Sequence, residues 1–263
     1  MTSAPKVGIV GYGYAGKTFH APLIAGVPGL QWVAVSSSDA ARVHADWLGL
    51  DVHDTPEALI ARPDIDLIVI VIATPNATHF AIAQAALQAG EHVVVDKPFT
   101  LTLLEAQRLD ALATAKERVL SVFHNRRWDG DLITVQRLIA SGELGRVTHF
   151  ESHFDRFRPL VHARWRESAA PVAGLWFDLG PHPLDQALQL FGWPQALCLD
   201  AASLSDDWCM VTLHCDRLRV TLHASMLRAA CDLRYAVHGT RGSYVKLGLD
   251  QQEDALKAGR RPA

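Results

Sequence analysis

Gly11-Tyr12-Gly13-Tyr14-Ala15-Gly16 restricts the fold more than any other stretch of the 263-residue chain. It follows a short apolar run, Lys6 to Val10, that reads as a strand. It opens a segment to about Ala25 that reads as a helix. The spacing is G-x-G-x-x-G, placed between a strand and a helix, which is the context that gives it meaning. Each glycine then has a physical task. Gly11 permits a tight turn, Gly13 lets the backbone approach a pyrophosphate, and Gly16 lets the helix pack close to the strand. The helix N-terminus offers unpaired N–H groups to an anion. A simple glycine turn is the competing reading of these six residues taken alone.

The pattern that follows favours the nucleotide reading. Gln31 to Val35 reads as a second strand. Asp66 to Ala73 is a continuous apolar run, as expected of a strand buried on both faces. It ends in Thr74-Pro75-Asn76-Ala77-Thr78-His79, where Pro75 stops the strand and Asn76 or Thr78 caps a helix running to Ala89, with Gly90 as its C-terminal cap. Val93-Val94-Val95 is another buried strand, ending abruptly on Asp96-Lys97-Pro98. Thr100 is expected to cap a helix over Leu101 to Glu117, and Val119 to Phe123 reads as a further strand. Strands and helices in alternation imply an α/β fold with a doubly wound parallel sheet. The carboxyl ends of such strands line the ligand crevice. A lysine delivered there by a rigid strand, as Lys97 would be, is a candidate catalytic group.

The second strand ends in Ser36-Ser37-Ser38-Asp39-Ala40-Ala41-Arg42. An acidic residue at this place binds the ribose hydroxyls of NAD. Small hydroxyls at Ser36, Ser37 and Ser38 leave room for a 2′-phosphate that Arg42 would pair with, so NADP is the expected cofactor and NAD the alternative. Two other readings stay open: Asp39 does the acidic residue's work, or Arg42 is a solvated helix residue.

The second half is organised differently. Asn125 to Trp128 reads as a hinge, Asp131 to Ser141 as a helix ended by Gly142 and Gly145, and Val147 to Phe157 as a long strand. Met210–Cys215, Leu218–Met226 and Arg234–His238 read as strands of a mostly antiparallel sheet. On the long strand His149, Glu151, His153 and Asp155 alternate. A polar sheet face or an interface is preferred there to a metal, because no further ligands are spaced as a site needs. Asp155 to Glu167 is dense in Arg and aromatics. With a net charge of −3 and only one such stretch, nucleic-acid binding is the poorer reading. A loop that binds a hydroxylated or anionic substrate is the better one, with Arg156, Arg158 and Trp165, and Asn125 and Arg126 at the hinge, as its contacts. Four cysteines without a Cys-x-x-Cys pair read as buried free thiols. No basic-then-apolar leader and no membrane-length apolar run is visible, so a cytoplasmic protein is expected.

Together, the glycine turn, Ala73-Thr74-Pro75-Asn76-x-x-His79, Ala89-Gly90-x-His92-Val93 through Asp96-Lys97-Pro98, and Asp178-Leu179-Gly180-Pro181-His182-Pro183-Leu184-Asp185 resemble the glucose-fructose oxidoreductase / inositol dehydrogenase (Gfo/Idh/MocA) family. Their order agrees with that family over nearly the whole chain. The stretches around Phe123–Asp129 and Asp155–Glu167 look like the branch that includes NADP-dependent scyllo-inositol dehydrogenases. The chain departs from the family at Asp96, where glutamate is common, and at Ser37. The resemblance implies a Rossmann domain over residues 1–125 and a substrate-binding and oligomerisation α+β domain over 126–263. Members continue further, so this second domain is expected in a C-terminally shortened form. It also implies hydride transfer between nicotinamide and a secondary alcohol of a polyol or sugar, with Lys97, Asp178 and His182 as the catalytic group. The glycine-turn residues, Thr74, Pro75, Asn76, His79, Asp96 and Lys97 would line the cofactor. Homo-dimers or homo-tetramers would form through the second sheet, with no nucleic acid or membrane as partner. A catalytically silent dinucleotide-sensing regulator, or an assembly subunit of the same fold, is the alternative.

Overall fold

The computed structural model describes residues 4–70, 74, 76–159, 174–201, 208–230 and 232–261. They form two compact units, Met1–Phe123 with Gln251–Ala263, and His124–Asp250. The sequence reading gave everything after residue 125 to the second domain. The last stretch instead belongs to the first unit, because Gln252–Lys257 is a short helix that packs beside the glycine turn through Glu253 and Lys257.

In chain order the first unit contains β1 (Lys6–Val10), a π-helical turn (Gly16–His20) continuing into α1 (Ala21–Gly26), β2 (Gln31–Ser36), α2 (Ala40–Asp46), β3 (Asp51–His53) and α3 (Pro56–Ile60). Then come β4 (Leu67–Ile70), α4 (His79–Ala89), β5 (His92–Asp96), α5 (Leu103–Ala115) and β6 (Leu120–Phe123). The strands pair in the order β3-β2-β1-β4-β5-β6, all parallel. This is the dinucleotide-binding order, with the strand direction of travel reversing between β1 and β4. Both faces are buried. Val7 and Ile9 pack with Ala21, Val35 and Val43 on one side, while Val10, Val93 and Val95 pack with Ala83, Leu87 and Leu109 on the other. That two-sided burial is why the strands read as unbroken β-branched runs.

Two expected caps move. Thr102, not Thr100, caps α5: its hydroxyl accepts from the Glu105 N–H while the Glu105 carboxylate accepts from the Thr102 N–H. A complete capping box satisfies two orphan donors, which a lone threonine does not. α4 is entered through a 3-10 turn, Asn76–Thr78, and the Thr78 hydroxyl does not cap it. The expected end of β4 at residues 71–73 lies outside the described residues.

The second unit contains a 3-10 turn (Asn125–Trp128), α6 (Gly130–Ser141), β7 (Val147–Asp155), α7 (Leu175–Leu179), α8 (Pro181–Phe191), β8 (Ala196–Ala201), β9 (Trp208–Cys215), β10 (Leu218–Ser225), β11 (Leu233–Gly239) and β12 (Ser243–Leu247). The final helix, α9, is Gln252–Lys257 of the first unit. The second sheet runs β12-β11-β7-β10-β9-β8. All its pairings are antiparallel except the central β7–β10 pair. Leu132, Phe150, Ala187, Leu213, Val220 and Tyr235 bind α6 and α8 to one face. Among the cysteines Cys209 is buried and Cys215 half-buried, but Cys198 is exposed, against the expectation of buried thiols; Cys231 is outside the described residues. No described helix is long and apolar enough to cross a membrane.

Candidate active site

The first unit carries the cradle and the lysine. β1 ends at Gly11, whose φ of 90° favours glycine and whose N–H donates to the Ser36 carbonyl at 2.9 Å, pinning the turn to β2. Tyr12 turns inward. Its ring stacks on Trp32 and its hydroxyl donates to Asp46 at 3.0 Å, so burial and that carboxylate push its pKa up. Lys17 also reaches Asp46, at 2.9 Å. Tyr14 points out and donates to Glu253 of α9 at 2.6 Å. Tyr12 and Tyr14 therefore leave the backbone, rather than their side chains, to the cradle. Gly13 is half-exposed in the turn, and Ala15 and Gly16 are buried where the helical segment begins. A strand end, a glycine-only φ and a helix start in succession fit a dinucleotide diphosphate.

At the end of β2 Ser36 is buried, Ser37 half-buried and Ser38 exposed. The Asp39 carboxylate accepts the Arg42 N–H at 2.9 Å and so caps α2, while its own N–H donates to the Ser37 hydroxyl. The Arg42 side chain is exposed.

Lys97 follows β5 directly and is only 9% exposed. Its N–H donates to the Asp96 carboxylate at 2.7 Å, and the same carboxylate accepts from His20 Nε2 at 3.0 Å. Burial alone would raise the Asp96 pKa; the His20 hydrogen bond and the nearby charges hold it below its ordinary value. His79 is wholly buried, and its Nδ1 donates to the Pro98 carbonyl at 2.9 Å. Burial lowers its pKa, against the Pro98 hydrogen bond and the Asp96 charge, which raise it. His79 and Asp96, both expected at the cofactor, are thus turned towards the Lys97 turn. Asn76 is buried and Thr74 half-buried; Pro75 lies outside the described residues.

The second unit gathers the other candidates around one ring. His182 is buried in the first turn of α8, its imidazole 6.1 Å from the Phe154 ring at 27°. The guanidinium groups of Arg126, Arg156 and Arg234 lie 5.8, 5.4 and 5.1 Å from the same ring. Arg126 and Arg156, expected at the substrate, thus lie near the same Phe154 ring as His182. Asp178 is half-buried on α7, one helix before His182. Asn125 is half-buried in the 3-10 turn. Arg158 is exposed, its N–H donating to the Met226 carbonyl at 2.7 Å, and Trp165 is outside the described residues.

Gly180 joins α7 to α8. A Cβ there would lie 2.4 Å from the Trp176 ring and 2.5 Å from its carbonyl oxygen. Gly180→Ala must therefore push the start of α8 away. Overpacking of this kind costs about 1–3 kcal/mol. The expected result is a fall of roughly 2–10 °C in the melting midpoint, read by circular dichroism.

Sequence reasoning missed two partners. His20 was not singled out, because only the fold brings it to Asp96, 76 residues away in the chain. His223 was missed because only the β7–β10 register brings it opposite His153. His153, Asp155 and His223 have ligand atoms within 4.8 Å of one another. Asp155 accepts from His223 at 2.7 Å and from Arg228 at 2.9 Å, and His153 Nε2 lies 3.0 Å from Glu151. Burial opposes the Asp155 charge, but the two histidines hold its pKa well below the ordinary range. Arg228 supplies the cluster with a positive charge from the chain itself.

Residues 5–124 match the family model described as "Oxidoreductase family, NAD-binding Rossmann fold", and residues 132–245 match the "GFO/IDH/MocA C-terminal domain". The uncharacterized oxidoreductase YdgJ of Escherichia coli K12 is 57% identical over 99% of this chain and 76% of its own length. The scyllo-inositol 2-dehydrogenase (NADP(+)) IolW of Bacillus subtilis is 38% identical over 98% of this chain and 73% of its own. The solved structure of the YPO2259 protein of Yersinia pestis superposes with a TM-score of 0.93 at 55% identity, covering 100% of this chain and 75% of that one. Fold, motifs and relatives agree along nearly the whole sequence, and the chain belongs to the Gfo/Idh/MocA family of oxidoreductases, with an NAD-binding Rossmann domain.

Proposed function

We propose that the protein is an NADP-dependent dehydrogenase that interconverts a secondary alcohol and a ketone on an inositol-like polyol or sugar. The observation that carries this reading is Lys97, a buried lysine at the carboxyl end of a central strand in a dinucleotide-binding sheet. Buried lysines are rare without a partner or a task. The printed activity of IolW, at 38% identity, supports the substrate class. Nicotinamide, when bound, supplies the hydride acceptor or donor. The chain's residues handle the proton and the charge. His182 takes the hydroxyl proton, as an imidazole near neutrality does readily. Lys97 donates a hydrogen bond to the reacting oxygen and stabilises the negative charge that develops there. Asp178 orients His182 or Lys97 and favours its charged form. Arg126 and Arg156 bind substrate hydroxyls.

NADP is favoured because Asp39 spends its carboxylate on the α2 cap, which leaves Ser37 and Arg42 at the ribose end of the site. A charge-assisted hydrogen bond is worth about 1.5–3 kcal/mol. Ser37→Asp with Arg42→Ala is accordingly expected to raise the KM for NADP+ by roughly 10–100-fold and to leave NAD+ the better cofactor. Equal use of NADP+ by parent and variant would refute the assignment.

The function is tested by incubating the purified protein with NADP+ or NAD+ and a polyol panel that includes scyllo-inositol, while following nicotinamide absorbance. Turnover with at least one cyclic polyol is expected. Dinucleotide binding without turnover on any alcohol or ketone of the panel would favour the regulator instead.

A further inference from the structure

We infer that His20 is a positioning residue for Lys97, acting through Asp96. The inference rests on the reading that Lys97 works at the reacting oxygen. His20 closes the π-helical turn, where the Ala21 N–H reaches back to the Gly16 carbonyl instead of forming an α-helical bond. Pro22 follows at once and has no N–H to give, so the wider turn leaves no further donor unused. Wide turns of this kind recur at functional sites, because the extra residue re-aims a side chain. Here the re-aimed side chain is an imidazole pointed into the sheet. Its Nε2 donates to one Asp96 oxygen at 3.0 Å, and its ring lies 4.2 Å from Phe123 at the end of β6.

The other Asp96 oxygen accepts the Lys97 N–H at 2.7 Å. Imidazole, carboxylate and lysine backbone thus form one chain of hydrogen bonds. On the far side of Lys97 the Pro98 carbonyl accepts from His79. The lysine backbone is held at both ends by buried histidines from different elements. The His20 and Asp96 side chains are 3% and 6% exposed. A buried polar pair is weak evidence for stability, since apolar residues would fill the same space at least as well. A pair that fixes the main chain on which Lys97 stands has a use that apolar packing cannot supply. The same helical segment begins at the glycine turn, so the device also ties the diphosphate cradle to the lysine.

The test uses His20→Leu, His20→Gln, Asp96→Asn and their double variant, with Lys97→Ala as reference. The protein is assayed with NADP+ and scyllo-inositol, and NADP+ affinity is read by protein fluorescence. A small misplacement of a reacting group costs up to about 100-fold. His20→Leu and Asp96→Asn are expected to lower kcat about 10–100-fold with little change in NADP+ affinity. His20→Gln keeps a donor and should restore most of the rate. The double variant should be no slower than the slower single variant, because both break one chain. Full turnover by His20→Leu, or no rescue by glutamine, would overturn the inference while an inactive Lys97→Ala still upheld the function. Full turnover by Lys97→Ala would sink the function itself.

A readout free of substrate accompanies these assays. The ε-amine of Lys97, labelled by reductive 13C-methylation and assigned by its loss in Lys97→Arg, should shift in His20→Leu and return in His20→Gln. An unchanged signal in His20→Leu overturns the inference. If His20→Leu does not fold, the Gln variant and Asp96→Asn decide by the same criteria.

Discussion

Arg234→Ala is expected to destabilise the second unit by about 3–5 kcal/mol, the usual loss when one partner of a buried charge pair is removed. Arg234 is 1% exposed. It donates to the Ser152 hydroxyl and the His153 carbonyl at 3.0 Å and to the Gln186 amide oxygen at 3.1 Å, with its guanidinium 4.1 Å above the Tyr235 ring. Its Nε lies 3.5 Å from the Asp131 carboxylate, which is as deeply buried. Of the groups that support the Asp131 charge, this guanidinium contributes most, ahead of the Leu132 N–H. Burial already raises the Asp131 pKa and Arg234 opposes that rise.

Without Arg234 the Asp131 pKa must climb further, and the sign of the pH effect follows. A carboxyl raised in the folded state contributes stability below its unfolded pKa and loses it as pH rises towards the folded value. The unfolded value is common to both proteins, so the deficit of Arg234→Ala should grow as pH rises through the parent's Asp131 value, which burial already holds above the ordinary aspartate value of about 4. Urea melts at pH 5 and 7.5 read it directly. Arg234→Met combined with Asp131→Leu should recover much of the loss, since apolar groups of similar volume replace such pairs well. The site should feel the single variant too. Gln186, which Arg234 holds, sits one turn after His182 on α8 and donates to the Arg126 carbonyl at 2.8 Å. A single variant within 1 kcal/mol of the parent would show that the network carries no such load.

What the sequence disclosed follows from what each element buries. β1 is bounded by the residues read for it, and the helix ends at Gly90 and Gly142 fall where the glycines stand. These features are local: a β-branched run, a glycine in left-handed backbone, an alternation of apolar residues. The Thr102-x-x-Glu105 box was equally local, and reading Thr100 as the cap overlooked it. Other features were not local. His20 and Asp96 are 76 residues apart, and nothing in either segment announces the other. His153 and His223 meet because β10 runs parallel to β7, and strand periodicity carries no direction. Tyr12 looked like a cradle residue from its place in the motif. Its ring packs with Trp32, and the turn buries Tyr12 while it leaves Tyr14 exposed. The motif shows where the backbone turns and does not show which way its side chains point.

Lys97→Ala is expected to lower kcat by about 1,000-fold. Removing one preorganised donor to a developing oxyanion costs roughly 100–1,000-fold, and the loss is larger where the donor carries a full charge in a water-poor site. The loss should fall on kcat and kcat/KM alike, because the interaction strengthens only as charge develops on the substrate oxygen. The NADP+ affinity should stay within a few-fold of the parent, since the glycine turn and the end of β2 lie on other strands. Lys97→Arg should not rescue the rate. A guanidinium is larger than an ammonium and presents its donors in a rigid fork, and this side chain is 9% exposed on a turn clamped by Asp96 and His79. A bland structural lysine would behave in the opposite way. Its removal would lower the melting midpoint and leave kcat per folded molecule unchanged, and Arg would substitute for it. Stopped-flow measurement of nicotinamide absorbance under single-turnover conditions, set beside the melting curves, separates the two. A variant that melts early but turns over at the parent rate would remove Lys97 from the reacting centre.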